Sequence, residues 1–313
     1  RDLIGKADVL IENFRPGTLE EWGLDPEALR DEHPDLIVAR ISGYGQTGPY
    51  RHRGGYASVC EGFGGLRYVN GVPGERPVRA NLSLGDSLAG VHATLGVLLS
   101  LLQRGRSGRG QVIDVGIFEA VYNLMEAVVP EYSGAGVVRE PSGSTITGIV
   151  PTNTYRCQEG RWVIIGGSGD SVFRRLMRAA GREDLAADPR LQDNPGRVEH
   201  QREIDAAIEA WTSRLRLDEV LSRLEAAEVP AGPIYSVREM FDDPQYRARQ
   251  LFEEVETPIG ALEIPQIQPR LSDTPARTEW PGPPLGAHND EIFGEVLGIG
   301  DAEREVLRRD GVI

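Results

Sequence analysis

Cysteine is nearly absent: Cys60 and Cys157 are the only two in 313 residues. They form no C-x-x-C spacing, which excludes a disulfide framework and a thiolate metal site as organising features. The five histidines, His33, His52, His92, His200 and His288, are dispersed with no close-spaced ligand motif, so no bound metal is expected. Positive charge is also short. Lys+Arg 34 against Asp+Glu 48 gives a net charge of −14, and this balance argues against nucleic acid as a general partner because phosphate is repelled. Any anionic ligand must therefore find a local basic pocket. Long apolar runs are lacking too: the longest, Leu95 to Leu102, is too short and interrupted to span a bilayer, so no membrane partner is expected. There is no internal repeat, no initial methionine and no signal-type apolar region. Arg1-Asp2-Leu3-Ile4 reads as the middle of an existing helix, so a trimmed chain and a cytoplasmic location are the expectations.

What is present suits a folded protein, with 40% hydrophobic and 26% charged residues in a length that allows about two domains of roughly 150 residues. The stretch Ala7 to Phe14 is β-like and breaks at Arg15-Pro16-Gly17. A helix is expected from Thr18 toward Arg30, then a strand at Leu36 to Ile41, a beat that predicts a parallel α/β sheet with functional loops at strand ends. A glycine-rich loop, Ser42 to Pro49, leaves that strand. Residues 50–80 are expected to be irregular, and Arg51, Arg53, Arg67, Arg76 and Arg79 make them the candidate basic pocket. A long helix follows to Leu102, apolar enough to be expected buried, with Arg104, Arg106 and Arg109 complementing its C-terminal dipole. A strand at Gln111 to Val115 and a helix at Ile117 to Val129 come next.

Composition shifts after Pro130. The chain is divided as a large domain over 1–129, a linker over 130–150, a small α+β domain over 151–235 and a return segment over 236–313. Trp162 to Ile165 is a strand leading into Gly166-Gly167-Ser168-Gly169, a weak nucleotide motif because it lacks both the P-loop ending and a full G-x-G-x-x-G. The tail is proline-punctuated up to a last helix near Asp290 to Leu297.

Asp86 stands at the mouth of the long helix within Ser83-Leu84-Gly85-Asp86. The helix dipole favours its ionised form by about 0.3–1 kcal/mol, less than one pKa unit, so an anion at pH 7 is expected unless burial is deep. Two readings fit: an ordinary N-cap aspartate, or a carboxylate nucleophile with a glycine-flanked approach.

Taken in order, Ala7 to Gly17, Ile41-Ser42-Gly43-Tyr44-Gly45, Gly85-Asp86, Gly108-Arg109-Gly110-Gln111, Gly232-Pro233 and Pro284-Leu285-Gly286-Ala287-His288 resemble the class III coenzyme A transferases of the CaiB/BaiF type, which include formyl-CoA and carnitine CoA transferases and α-methylacyl-CoA racemases. The resemblance implies a Rossmann-like large domain, interlocked homodimers and an absent amino-terminal segment. It implies that Asp86 attacks an acyl-CoA thioester to form an aspartyl anhydride, and that Asn13, Phe14, Arg15, Gly54, Gly55, Tyr56 and Ala57 contact coenzyme A, a substrate rather than a cofactor. Glu21 lies where relatives often carry a basic residue. Ser142-Gly143-Ser144-Thr145 lacks the glycine run that covers the site in formyl-CoA transferases, so formyl or oxalyl specificity is not expected. Racemases place a histidine base where this chain has Tyr56, a poor base at neutral pH with a pKa of about 10. Racemisation, and binding of CoA esters without turnover, are the rival readings.

Overall fold

The computed structural model describes residues 1–313 and divides into two units, Arg1–Gly232 and Pro233–Ile313. In the first unit, β1 (Val9–Glu12), the short helices α1 (Thr18–Glu21) and α2 (Pro26–Glu32), and β2 (Ile37–Ser42) open a parallel sheet. The helix expected across Thr18 to Arg30 is broken in two. Gly23 takes a left-handed φ of +73°, and Asp25 caps α2 by accepting the N–H groups of Glu27 and Ala28, both at 3.0 Å, with Pro26 in the first turn.

The expected irregular stretch at 50–80 contains α3 (Ala57–Phe63) and α4 (Leu66–Val69), separated by Gly64-Gly65. The long helix α5 (Leu84–Ser107) leads to β3 (Val112–Gly116), and the sheet runs β1-β2-β3, all parallel. The central strand β2 is covered on both faces, with Ile37, Val38 and Ala39 fully buried.

Helix α5 corrects two expectations. It is not a buried helix: only Gly85, Ala89, Ala93 and Ser100 are buried, while Val91, Leu95, Leu98, Leu99 and Leu102 are each more than half exposed. Small residues bring the helix axis close to the sheet, so close that a Cβ on Gly96 would stand 2.8 Å from Ile113 Cγ2, and this leaves the large residues on the opposite face. It is also long and apolar enough, at 24 residues, to cross a bilayer by length and composition, contrary to the reading of its apolar run as too short. Its small-residue face instead packs with Cys60, Val115, Ile117 and Ala120 in one core.

The helix expected over Ile117 to Val129 stops early as α6 (Ile117–Tyr122), and α7 (Val128–Ala135) occupies the first part of the expected linker. Glu126 between them has a left-handed φ of +46°, and Pro130 is tolerated in the first turn of α7, where its missing N–H costs no helical bond. Beyond it, β4 (Thr152–Arg156) pairs antiparallel with β5 (Trp162–Gly166), followed by α8 (Asp170–Ala179), α9 (Glu183–Ala186), α10 (Asn194–Glu199), α11 (Gln201–Thr212) and α12 (Leu217–Ala226), and β6 (Ala231–Pro233) joins β5. This part has its own core, in which Val163, Ile165, Phe173, Leu176, Ile204, Ile208, Val220 and Leu224 are fully buried. The Gly166 to Gly169 turn is a packing feature. A Cβ on Gly167 would stand 2.6 Å from Leu176 Cδ2, and the Ser168 carbonyl accepts a 2.6 Å bond from the fully buried Arg197 guanidinium.

The second unit holds α13 (Val237–Asp242), α14 (Pro244–Ala248), the hairpin β7 (Phe252–Thr257) with β8 (Gly260–Pro265), a π-type helix at Asp290–Val296 and α15 (Asp301–Arg309). The hairpin and α15 escape a reading by apolar periodicity, because Glu253, Glu254 and Glu256 break the pattern of β7 and α15 is rich in charge.

Candidate active site

The carboxyl ends of all three parallel strands open into one cleft of about 500 Å³, the position at which open α/β sheets bind ligands. The turn after β1 supplies Asn13, Phe14 and Arg15, the end of β2 supplies Ser42 and Gly43, and α6 begins the far wall with Ile117. Gly54, Gly55 and Tyr56 enter from the loop before α3, and Asp86 and Gly90 from the first turns of α5. Of the residues singled out from the sequence, Asn13, Phe14, Arg15, Gly54, Gly55, Tyr56 and Asp86 thus share one cleft.

Ala57 does not line it. It is buried behind the wall, where a Cβ on Gly85 would meet its Cα and Ile117 Cγ2 at 3.2 Å, so it serves as the surface on which the start of α5 rests.

Asp86 is not the N-cap of α5. Ser83 holds that position and Asp86 is the third helical residue, exposed to the cleft. Its carboxylate makes no hydrogen bond or ion pair within the chain, so it is free to meet a ligand.

The turn carrying Asn13, Phe14 and Arg15 is set by two groups absent from the sequence reading, Glu12 and Arg40. They stand opposite each other in the β1–β2 register. Arg40 Nε donates to Glu12 Oε1 at 2.7 Å, and the other oxygen, Oε2, accepts the Phe14 backbone N–H at 2.7 Å. Arg40 also forks onto Glu20, with Nη1 to Oε1 at 2.8 Å and Nη2 to Oε2 at 3.2 Å. The only available signal was a charged residue at or near the end of each of two otherwise apolar strands. The hydrogen bonds from Arg40 hold the Glu20 carboxyl below its ordinary value of 4.5. A depressed carboxyl stabilises the fold at pH values above its unfolded pKa and loses that contribution as pH falls through the folded one. Urea unfolding between pH 6 and pH 3 should therefore show an acid-side loss of stability that Glu20→Gln reduces. An unchanged acid limb in the variant would count against the pair.

Two glycine loops cross at the floor of the cleft. A Cβ on Gly43 would stand 2.8 Å from Gly55 Cα, and one on Gly55 would stand 3.0 Å from Gly43 Cα, so neither position admits a side chain without moving backbone. Cys60 Sγ donates to the Gly43 carbonyl at 3.3 Å. Burial, and then the nearby Asp86 charge, push its thiol above the ordinary 9.0, so Cys60 is a neutral packing group at pH 7.

Of the expected basic pocket only Arg53 lines the cleft, where it is joined by Arg15 from the turn after β1, and neither has a carboxylate partner. The Arg53 guanidinium lies 3.6 Å from the centre of the Tyr50 ring. Arg67 and Arg79 face Glu61 instead, and Arg51 donates to the His52 ring at 2.9 Å. Tyr56 is 84% exposed at the rim. The Ser142 to Thr145 segment folds on itself, with Ser142 Oγ donating to the Thr145 carbonyl at 2.8 Å, and does not line this cleft.

The profile of CoA-transferase family III matches residues 1–289. The chain belongs to this family. Among its relatives, the succinyl-CoA–D-citramalate CoA-transferase of Chloroflexus aurantiacus is 45% identical over 99% of this chain and 78% of the relative. The alpha subunit of succinyl-CoA–L-malate CoA-transferase from Chloroflexus aurantiacus is 41% identical over 99% of this chain and 73% of its own length. Among solved structures, a CAIB/BAIF family protein from Brucella suis superposes with a TM-score of 0.81 at 32% identity, covering 94% of this chain and 77% of that one. The chain is therefore a class III CoA-transferase with a mixed α/β fold built around a parallel sheet.

Proposed function

We propose that this CoA-transferase takes succinyl-CoA or a similar dicarboxylic acyl-CoA as donor and a hydroxy dicarboxylic acid as acceptor, working through an anhydride on Asp86. The observation that carries the reading is the unpartnered Asp86 carboxylate in a cleft shared with two guanidinium groups that have no internal counter-ion. The substrate class is supported by relatives whose names pair succinyl-CoA with citramalate and malate.

In this mechanism an Asp86 oxygen attacks the thioester carbonyl, the C–S bond breaks, and CoA leaves as thiolate. The thiolate returns to the Asp86 carbonyl carbon of the anhydride, releasing the donor acid as a carboxylate and leaving an aspartyl-CoA thioester. The acceptor carboxylate attacks that thioester, the C–S bond breaks, and CoA leaves again as thiolate from a second anhydride. The thiolate then attacks the acyl carbonyl, giving the new acyl-CoA and restoring Asp86. Covalent catalysis divides one hard exchange into easier steps, and each passes through an oxyanion. Gly54 and Gly55 line the cleft, and their backbone N–H groups, which have no backbone acceptor in the chain, are the donors assigned to that role. Asn13, Phe14, Arg15 and Tyr56 are assigned to coenzyme A and its acyl group, with Arg53 available to a second carboxylate.

The test is incubation with succinyl-CoA and L-malate or D-citramalate, and separately with a 2-methylacyl-CoA in deuterated water. CoA transfer without exchange at the α carbon is expected. Tyr56→Phe should keep most of the transfer rate while changing KM, since the ring borders the substrate and carries no proton in the mechanism. Exchange at the α carbon without transfer would overturn the proposal in favour of racemisation.

A further inference from the structure

Glu61 is a carboxylate in the wrong place for an ordinary surface residue. It is 2% exposed, on the buried face of α3. Burying a carboxylate is costly unless it is paired and hydrogen-bonded. Pairing is supplied by Arg67, whose Nε lies 3.0 Å from Glu61 Oε2, and more distantly by Arg79 at 3.8 Å. Arg67 is itself fixed by a 3.0 Å bond from Nη2 to Ser58 Oγ. Charge balance therefore occupies one carboxylate oxygen. The other, Oε1, accepts the backbone N–H of Gly85 at 3.4 Å.

That second bond reaches the residue immediately before Asp86. A helix start leaves its first N–H groups without intrahelical partners, and these are normally met by the N-cap side chain. Here Ser83 makes no such bond. The acceptor comes from another helix, 24 residues earlier in the chain.

We propose that Glu61 is a positioning residue for the transfer reaction, capping α5 from outside through the Gly85 N–H so that the first turn presents the Asp86 carboxylate to the cleft. The proposal rests on the reading of Asp86 as nucleophile. Its mark is a division between rate and binding, because the residues assigned to coenzyme A lie on the β1 turn and the loop before α3 rather than on α5.

Two substitutions separate the cap from the charge balance. Glu61→Gln keeps length and an acceptor oxygen but leaves Arg67 and Arg79 without their counter-ion. Glu61→Asp keeps the charge but draws the acceptor back by one methylene. If the cap matters, Glu61→Asp lowers kcat and the rate of adduct formation on the Asp86 peptide with succinyl-CoA by about tenfold, the scale of one lost hydrogen bond. In that variant the dissociation constant for free coenzyme A stays within about threefold of the original. Glu61→Gln then keeps kcat within about threefold, even though it loses more thermal stability. A purely structural role for the charge gives the opposite order, with Glu61→Gln the slower enzyme. That order, equal rates in the two variants, or a loss of coenzyme A affinity matching the loss of kcat would overturn the proposal. Failure of the underlying reading is seen separately, as absence of any Asp86 adduct in the unsubstituted protein.

Discussion

Replacing Asp86 by asparagine is expected to lower CoA exchange by about four orders of magnitude or more, while the protein still folds and binds coenzyme A. The amide has nearly the same shape but cannot form the anhydride, and loss of a nucleophile in covalent catalysis removes a whole step rather than one interaction. The stability change should be small. The side chain has no hydrogen bond or ion pair to lose, and only its favourable placement near the helix start, worth about 0.3–1 kcal/mol, disappears. The measurement is the rate of CoA exchange between succinyl-CoA and a dicarboxylic acid, with thermal unfolding as the control for folding. Turnover near the original rate, in protein shown by mass spectrometry to be free of deamidation, would refute the assignment.

Arg40→Ala should be among the most destabilising single changes in the molecule. Glu12 is buried beside Arg40 and donates nothing of its own, so removing the guanidinium leaves a carboxylate with no counter-charge at the edge of the core. Breaking one side of such a pair costs about 3–5 kcal/mol, a large part of a typical total of about 5–15 kcal/mol. The double substitution Glu12→Gln with Arg40→Met should recover most of that loss, because the penalty comes from the orphaned charge. Urea unfolding of the two variants checks both statements. A loss below about 1 kcal/mol in Arg40→Ala would show that water reaches Glu12 freely.

The parallel sheet was legible because its strands are short apolar runs bounded by glycine and proline, and Ile37 to Ala39 could be nothing but interior. The convergence of Asn13 to Arg15, Gly54 to Tyr56 and Asp86 was legible only through the family resemblance, since local pattern does not say which loops meet. Local signals failed where tertiary packing decides. The burial of α5 was overestimated because an apolar stretch gives no sign of which face docks, and here the small residues Gly85, Ala89 and Ala93 do so. Glu12, Arg40 and Glu61 were invisible for a related reason. A charged residue in sequence reads as solvated; the register of β1 on β2 is what pairs Glu12 with Arg40, and the seating of α3 is what buries Glu61 beside Arg67.

The glycines around the cleft divide it into parts that substitution can and cannot reshape. Gly43 and Gly55 are locked against each other, so any change there must move a loop. Gly54 and Gly90 line the same cleft and neither has a positive φ. A Cβ on Gly54 would find nothing nearer than Arg15 Nη2 at 4.0 Å, and one on Gly90 would find nothing within 4 Å. Divergence toward smaller or differently shaped acids therefore has two open routes that leave the backbone in place. At Gly90 the route is favoured by helix propensity itself, since almost any other residue except proline is better tolerated than glycine inside a helix. Selectivity in this lineage can drift by filling space at these two points while the loop crossing that frames the chemistry stays fixed.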